Sequence, residues 1–465
     1  MSQTDEKRAA LPPIPARLWK VAAISGAGAF MAMLDSTVAN LAVESLRQDF
    51  GTSLSSVQWV ITGYLLALAF SLPAVGWLVR RFGCGRVWLA ALAGFVLTSA
   101  LCALAPNLWL LIAARLLQGL AGGVLVPAGQ AVIGKAAEPR QLGRIMGSLG
   151  FAVALGPAIG PLIGGTILGT LSWRWIFAMN IPVGCIALVL ALRHIPPGQG
   201  DRSASLDWCG LLMIGTGLPL VLIGATEAAM AGPAVVLAMA SGVSLIAAFG
   251  WRTARIGEPL LNLALLQGRT FRAAVAVAGL TGTNMFAGLL LLPLYFQFVV
   301  SDDVMAAGMM LFMMGLGAAL ALPVCGLLTD RYGGGRVIVA GALCLIVTII
   351  PFMGETPPSR SLSWGLLFLR GAGLALAQMP AMTMAYAFVP QKEMGDAATL
   401  VNILQRLGGA VGAIIVVLLM AEGVDRGGLD HAFLFLMAIS GITLAASALI
   451  TLSPAIYESR GRERP

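Results

Sequence analysis

Residues 73–86 read PAVGWLVRRFGCGR, and residues 323–336 read PVCGLLTDRYGGGR. Pro73, Gly76, Leu78, Arg81, Gly83, Gly85 and Arg86 each recur 250 positions further on. Both stretches are short basic glycine turns that close one long apolar run and open the next. A basic turn can arise twice by chance, but a constant offset across the whole motif argues against it. The chain therefore reads as two related halves, each with this turn between its second and third apolar runs.

The composition outside the repeat defines the solvent. Hydrophobic residues make up 58% of the 465 and charged residues 11%, against about 25% charged in a soluble domain. A membrane helix needs about 20 apolar residues. That window predicts fourteen spans: 18–43, 56–79, 86–106, 108–133, 144–169, 174–193, 207–227, 232–252, 271–299, 304–328, 336–354, 361–389, 396–421 and 432–453. The expected layout has a tail over 1–17, a six-helix half over 18–193 and a linker over 194–206. Two extra spans follow over 207–252, then a linker over 253–270, a second half over 271–453 and a tail over 454–465. An even insertion keeps both copies of the turn on one side. Two parallel six-span halves about a central site are a transporter architecture.

The net charge of +8 would suit an anionic partner, but its placement excludes nucleic acid. Of the 29 Lys and Arg, 22 fall on the side of the N-terminus and four on the other (Arg47, Arg174, Arg360, Arg426), leaving three inside spans. By the positive-inside rule both termini are cytoplasmic and the protein is a multi-pass inner-membrane protein. Trp19, Trp59, Trp109, Trp173, Trp175, Trp208, Trp251 and Trp364 fall at predicted span ends, as interface anchors do. The six cysteines are scattered singly without metal spacing, so they read as small apolar fillers. The polar stretch 1–17 reads as a retained tail, not a signal peptide.

Of the 21 carboxylates, Asp35 alone sits well inside a span. Counting from Trp19 places it about 24 Å up, and Arg115 lies about 10 Å below the outer surface. Intramembrane ionisable residues are functional by default. Desolvation favours a neutral carboxyl and a nearby guanidinium favours a charged one, so this pair is a candidate proton carrier. A static pair that only fixes helix packing is the alternative. Arg370 and Arg406 lie near mid-depth with no deep acid in their half. They are expected to bond carbonyls, or to line a wet cavity and attract an anion. Gln118, Asn284, Tyr295 and Gln297 are uncharged candidates for the same cavity or for core hydrogen bonds. Gly156, Gly160 and Gly164 form a doubled GxxxG ladder interleaved with Pro157 and Pro161, which lets backbones approach and invites a bend. Glu227 and Glu422 lie near outer span ends, too shallow for a substrate role. His194 and His431, at predicted boundaries, build no catalytic constellation.

The chain resembles the major facilitator superfamily and, within it, the 14-span drug:H+ antiporter-2 family. Residues 34–43 (LDSTVANLAV) are similar to its first-span signature, and 58–66 (QWVITGYLL) to its second-span entry. Residues 111–119 (LIAARLLQG) are similar to its fourth-span motif, 156–165 (GPAIGPLIGG) to its antiporter motif, and 173–184 (WRWIFAMNIPVG) to its sixth-span set. In the second half 292–297 (LPLYFQ) and 402–412 (NILQRLGGAVG) are also similar. The resemblance implies an all-α major facilitator fold and proton-coupled export of hydrophobic or amphiphilic drugs by alternating access. It implies coupling at Asp35 and Arg115, and conformational gating at Gly156, Pro157, Gly160, Pro161 and Gly164. It extends a latch between the halves to Arg80, Arg81, Gly83, Asp330, Arg331 and Asp396. Two positions depart from the family: Arg80 stands where it has an acid, and Glu44 where it has a proline. A reversed pair for Arg80 has two candidate partners on the same side, Glu393 and Asp396. Export or import of one dedicated metabolite or antibiotic is the alternative function; a membrane enzyme or sensor is the more distant one. The expected partners are the bilayer, a small molecule and protons, with the chain a monomer, no cofactor or metal, and the proton gradient as energy source. No adaptor is established by the sequence.

Overall fold

A computed structural model describes residues 13–226, 232–299, 304–354, 356–420 and 426–451. Residues 1–12 of the predicted tail 1–17, the predicted tail 454–465, Glu227 and Glu422 lie outside the described residues. Fourteen helices are long and apolar enough to cross a membrane. They are α1 (Ala16–Leu41), α2 (Leu54–Phe82), α3 (Cys84–Ala103), α4 (Leu108–Ala136), α5 (Leu142–Thr170), α6 (Arg174–His194) and α7 (Trp208–Ala225). The others are α8 (Pro233–Thr253), α9 (Arg269–Phe298), α10 (Met309–Tyr332), α11 (Gly334–Met353), α12 (Arg360–Ala387), α13 (Gln391–Leu419) and α14 (Gly427–Ala448). Among the described residues the regular structure is entirely helical, as a bilayer demands of a chain that is not a closed barrel.

Local chemistry sets several boundaries. Ser53 and Asn107 cap α2 and α4 by accepting from the amides of Ser56 and Leu110 at 3.2 and 2.9 Å, satisfying donors that a helix start leaves unpaired. In the repeated turn, Gly83 and Gly333 adopt φ of 88° and 85°, a backbone region that side chains resist. The two copies thus share a conformation as well as a sequence. The end of the molecule that carries them is called the basic end below.

The packing is also repeated. In the first half α1 packs on α5 and α6, while α4 packs on α2 and α3. In the second half α9 packs on α13 and α14, while α12 packs on α10 and α11. Each seam is built on glycine. A Cβ on Gly156 would lie 2.7 Å from Met33 Cβ, and one on Gly160 would lie 2.8 Å from Thr37 Cγ2. In the equivalent α9–α13 seam, Gly408 meets the Gly279 carbonyl and Gly412 the Thr283 carbonyl. With lipid as apolar as leucine, close van der Waals fit takes over the role that water exclusion plays in soluble bundles.

The halves meet through the fifth span of each and the second span of the other, α5 with α10 and α13 with α2. The glycine ladder of α5 faces α1 of its own half. Contact with α10 is made by Gly143 and Gly147 further down the same helix, where a Cβ on Gly147 would be 2.7 Å from the Leu322 carbonyl. Pro157 and Pro161 are exposed, and α5 runs unbroken through both. α7 packs on α2, α13 and α8, so the inserted pair flanks one inter-half seam. The polar linker after α6 is pinned under the first basic turn. Arg86 N donates to Pro197 O at 3.1 Å, and Asp201 N to Arg80 O at 2.8 Å.

These seams make a graded prediction. Gly147→Leu and Gly160→Leu insert a side chain into an occupied interface, at a cost of about 1–3 kcal/mol each. Both are expected to lower the thermal unfolding midpoint in detergent and to abolish transport. Gly165→Leu, where nothing lies within 4 Å, is expected to keep both.

Candidate functional site

Three polar sites lie at depth. In the first, Asp35 of α1 and Arg115 of α4 form a pair with both side chains 0% exposed, Arg115 Nη1 donating to Asp35 Oδ2 at 2.5 Å. Asn180 Nδ2 of α6 and Gln118 Nε2 of α4 donate to Asp35 Oδ1 at 2.8 and 3.2 Å. Gln118 also donates to Ser99 Oγ at 2.8 Å and accepts from Arg115 Nη1 at 2.7 Å. Arg115 Nε donates to the Val60 carbonyl at 3.1 Å. The guanidinium lies over Tyr64 with 4.1 Å to the ring centre and over Phe177 with 5.4 Å, a cation–π arrangement that strengthens when dry. Arg115 Nη2 has no hydrogen-bond partner. Three side-chain donors address one carboxylate, so a proton on Asp35 removes the charge that holds α4 and α6 to α1.

The second site is the counterpart in the other half. Arg370 of α12, also 0% exposed, donates through Nη2 to Asn284 Oδ1 of α9 at 2.5 Å and through Nη1 to Leu345 O of α11 at 3.4 Å. Asn284 Nδ2 donates to Ser440 Oγ of α14 at 2.6 Å. Arg370 Nε is without a partner. First-span Asn284 takes the place of first-span Asp35, fourth-span Arg370 that of Arg115, and sixth-span Ser440 that of Asn180. The arrangement is repeated without its acid. Arg406 of α13 is the third site: it is partly exposed and lies one turn beyond Asn402, which donates to Gln130 of the first half at 2.7 Å.

Two latches join the halves at the basic end. Arg80 Nη1 bonds both carboxylate oxygens of Asp396, and Arg80 Nη2 donates to Leu260 O at 2.9 Å. Glu393 instead accepts from Asn262 Nδ2 at 3.2 Å. In the second latch Asp330 accepts from Gly143 N at 2.8 Å, Arg144 N at 3.1 Å and Arg144 Nε at 2.9 Å. Asp330 therefore sits on the N-terminus of α5, where the helix dipole favours an anion. At the matching N-terminus of α13 the loop offers a cation, and Asp396 in the first helical turn supplies the negative charge. A Cβ on Gly76 would overlap the Asp396 carboxylate, so this motif glycine keeps the room for it.

Of the remaining candidates, Arg81 donates to Ala204 O at 2.6 Å, and Arg331 is exposed beside Tyr332. Gly83 forms the turn. Tyr295 is buried in a ring cluster with Phe296, Phe352 and Phe433 at 5.2 to 5.5 Å, and Gln297 is exposed near the end of α9; neither joins the three polar sites. Glu44 lies on a short helix, Val43–Phe50, where hydrogen bonds from Arg47 and Gln48 hold its carboxyl down to about 2. Reasoning from sequence missed Ser99, Ser440, Gln130 and the role of Tyr64 under Arg115. Comparing equivalent spans of the two halves would have found Ser440, since the repeat that relates the turns also relates the cores.

A two-half bundle with inserted spans, a sealed intramembrane ion pair and inter-half latches defines a membrane transporter of the major facilitator type. The sequence model of the Major Facilitator Superfamily matches residues 26–413, and the chain belongs to that superfamily. It is 35% identical over 418 residues to the Multidrug resistance protein B homolog of Mycobacterium tuberculosis, covering 87% of this chain and 76% of that protein. It is 32% identical over 420 residues to the Puromycin resistance protein of Streptomyces alboniger, covering 88% and 83%. The crystal structure of the human organic anion transporter MFSD10 superposes with a TM-score of 0.65 at 16% identity, covering 94% of this chain and 100% of that one. The proton:xylose symporter XylE superposes at 0.63 and 15%, covering 94% and 95%. At these identities the two structures show the fold alone.

The latch yields a charge-swap prediction. Arg80→Asp places two carboxylates together and is expected to abolish transport. Adding Asp396→Arg is expected to restore it in part, because the longer side chain does not fit the Gly76 notch. Drug-efflux assays at matched membrane protein levels read both; no rescue by the double variant would remove the pairing from the mechanism.

Proposed function

We propose that the protein is a proton-coupled exporter of hydrophobic or amphiphilic drugs, working by alternating access in the inner membrane with its basic end in the cytoplasm. The observation that carries this reading is the sealed Asp35–Arg115 pair, the one carboxylate held deep among the described spans. In the closed latches at the basic end the cytoplasmic gate is shut. Asp35 takes a proton when α1 moves and the site opens outward. The neutral carboxyl then releases Arg115 and Asn180, and the halves rock so that the proton leaves to the cytoplasm. Substrate loading and a protonated Asp35 exclude one another, which makes the exchange obligatory. The names of the multidrug and puromycin resistance relatives support drug-like substrates, and the positive-inside asymmetry supports the orientation. The reading assigns a monomer and no cofactor, with the proton gradient as the driving force.

Asp35→Asn keeps the size of the side chain but is neutral, offers one acceptor oxygen where the carboxylate offers two, and cannot cycle a proton. In proteoliposomes at matched protein levels it is expected to lose uphill, pH-gradient-driven drug movement by at least about tenfold. Gradient-driven export at the wild-type rate by this variant would end the coupling role of Asp35.

A further inference from the structure

Arg406 is set apart from the other two deep arginines. Arg115 has its carboxylate and Arg370 has Asn284 and a carbonyl, whereas among the described residues Arg406 makes no hydrogen bond or ion pair. It lies 12 residues into α13 from Met394, about 18 Å at 1.5 Å per residue, near the middle of the 29-residue span. Its direction follows from its neighbours. Gly395 packs on Val79 of α2 and Asn402 bonds Gln130 of α4; Arg406, at i+4 from Asn402, shares that face, the one that meets the first half. Three residues on, Gly409 is covered by the ring of Phe286, whose approach leaves 2.5 Å to a built Cβ. Phe286 is itself 39% exposed and offers an apolar surface at Gly409, three residues along α13 from Arg406.

An unpaired cation at this depth is costly, and the nearest deep acid is unavailable, because Asp35 is enclosed by Arg115, Gln118 and Asn180. The deep charge of the described spans is three arginines against one carboxylate, and the unpaired one lies, partly exposed, on the inter-half face of α13. We infer that Arg406 is an anion subsite of the transport path, and that the substrates it selects carry a carboxylate, sulfonate or phenolate on an apolar body. This inference rests on the export reading and names its substrate class. The guanidinium forms a charge-assisted, two-pronged contact with the anionic group, the aromatic face of Phe286 takes part of the apolar body, and the incoming negative charge relieves the uncompensated arginine. Simple organic cations are disfavoured by the same field.

The test uses purified full-length protein in vesicles of zwitterionic phospholipid, with two fluorescent probes on one naphthalene ring system, one bearing a sulfonate and the other a trimethylammonium group. Wild-type protein is expected to exchange the sulfonate with the higher apparent affinity. Arg406→Gln is expected to weaken the sulfonate by about tenfold and leave the ammonium probe within about twofold, and Arg406→Lys is expected to retain most of the sulfonate affinity. Wild-type preference for the ammonium probe, or an unchanged sulfonate affinity in Arg406→Gln, overturns the subsite while leaving export intact. Wild-type protein that moves neither probe, and no puromycin, overturns the export reading and the subsite with it.

Discussion

A charge held at hydrocarbon depth must find a counter-charge, a dipole or water, and the described spans of this chain hold very few such charges. Each deep arginine meets that requirement in a different way. Arg115 closes on Asp35 beneath an aromatic roof, Arg370 leans on an amide and a carbonyl, and Arg406 makes no hydrogen bond or ion pair among the described residues. The helices around the first pair are held together by groups whose attraction depends on one proton. Protonation of Asp35 leaves Arg115 and the Asn180 amide addressing a neutral carboxyl, and buried polar groups left unmatched are expensive. Under the proposed coupling, such a switch needs a second stable arrangement, and rocking of the two halves is the one proposed.

The repeat explains both the symmetry and its breaking. Equivalent spans pack in equivalent pairs, on glycine seams, around equivalent polar residues in each half. At the first-span position one half carries Asp35 and the other Asn284, so only one half can exchange a proton there while the other keeps a fixed cation. The basic end breaks the symmetry in the opposite sense. Asp330 uses the N-terminus of α5 directly, whereas Arg80 would be repelled by the N-terminus of α13 without Asp396. Moving the acid from the loop to the helix preserves the latch and reverses its polarity. The room for that carboxylate is the missing side chain of Gly76, a glycine of the repeated motif.

Much of this was legible in the sequence because a bilayer narrows what a sequence can mean. Apolar run lengths predict the fourteen spans, and the repeated turn points to two halves whose helix packing also repeats. Asp35 and Arg115 stood out because the other charged residues of their helices, Arg17, Lys20 and Lys135, lie at the ends. The ladder at Gly156, Gly160 and Gly164 was legible as a packing surface but not as to its partner. GxxxG spacing says that two backbones approach and not which two; the inter-half contact falls instead on Gly143 and Gly147 of the same helix. The stretch from His194 to Ser205 reads as a linker from its Pro, Gly, Ser and charged content, and its carbonyls at Pro197, Arg202 and Ala204 bind the first basic turn. Composition reports what a segment can do alone, not which donors lie beneath it.

Tyr295 and Asn284 show the same limit from inside one helix. Both were polar positions on an apolar span and so equal candidates for a cavity, but they lie 11 residues apart, about 16 Å along α9. Near the end of the span, Tyr295 meets three phenylalanines and its ring completes an edge-to-face cluster, an arrangement in which the aromatic body decides the packing. At mid-depth Asn284 meets Arg370, and among the described residues its amide is the only side-chain oxygen the guanidinium reaches. An identical polar signal therefore has opposite outcomes, set by whether the neighbouring helix offers rings or charge. That choice belongs to the pairing of α9 with α12 and α14, which no local pattern in α9 encodes.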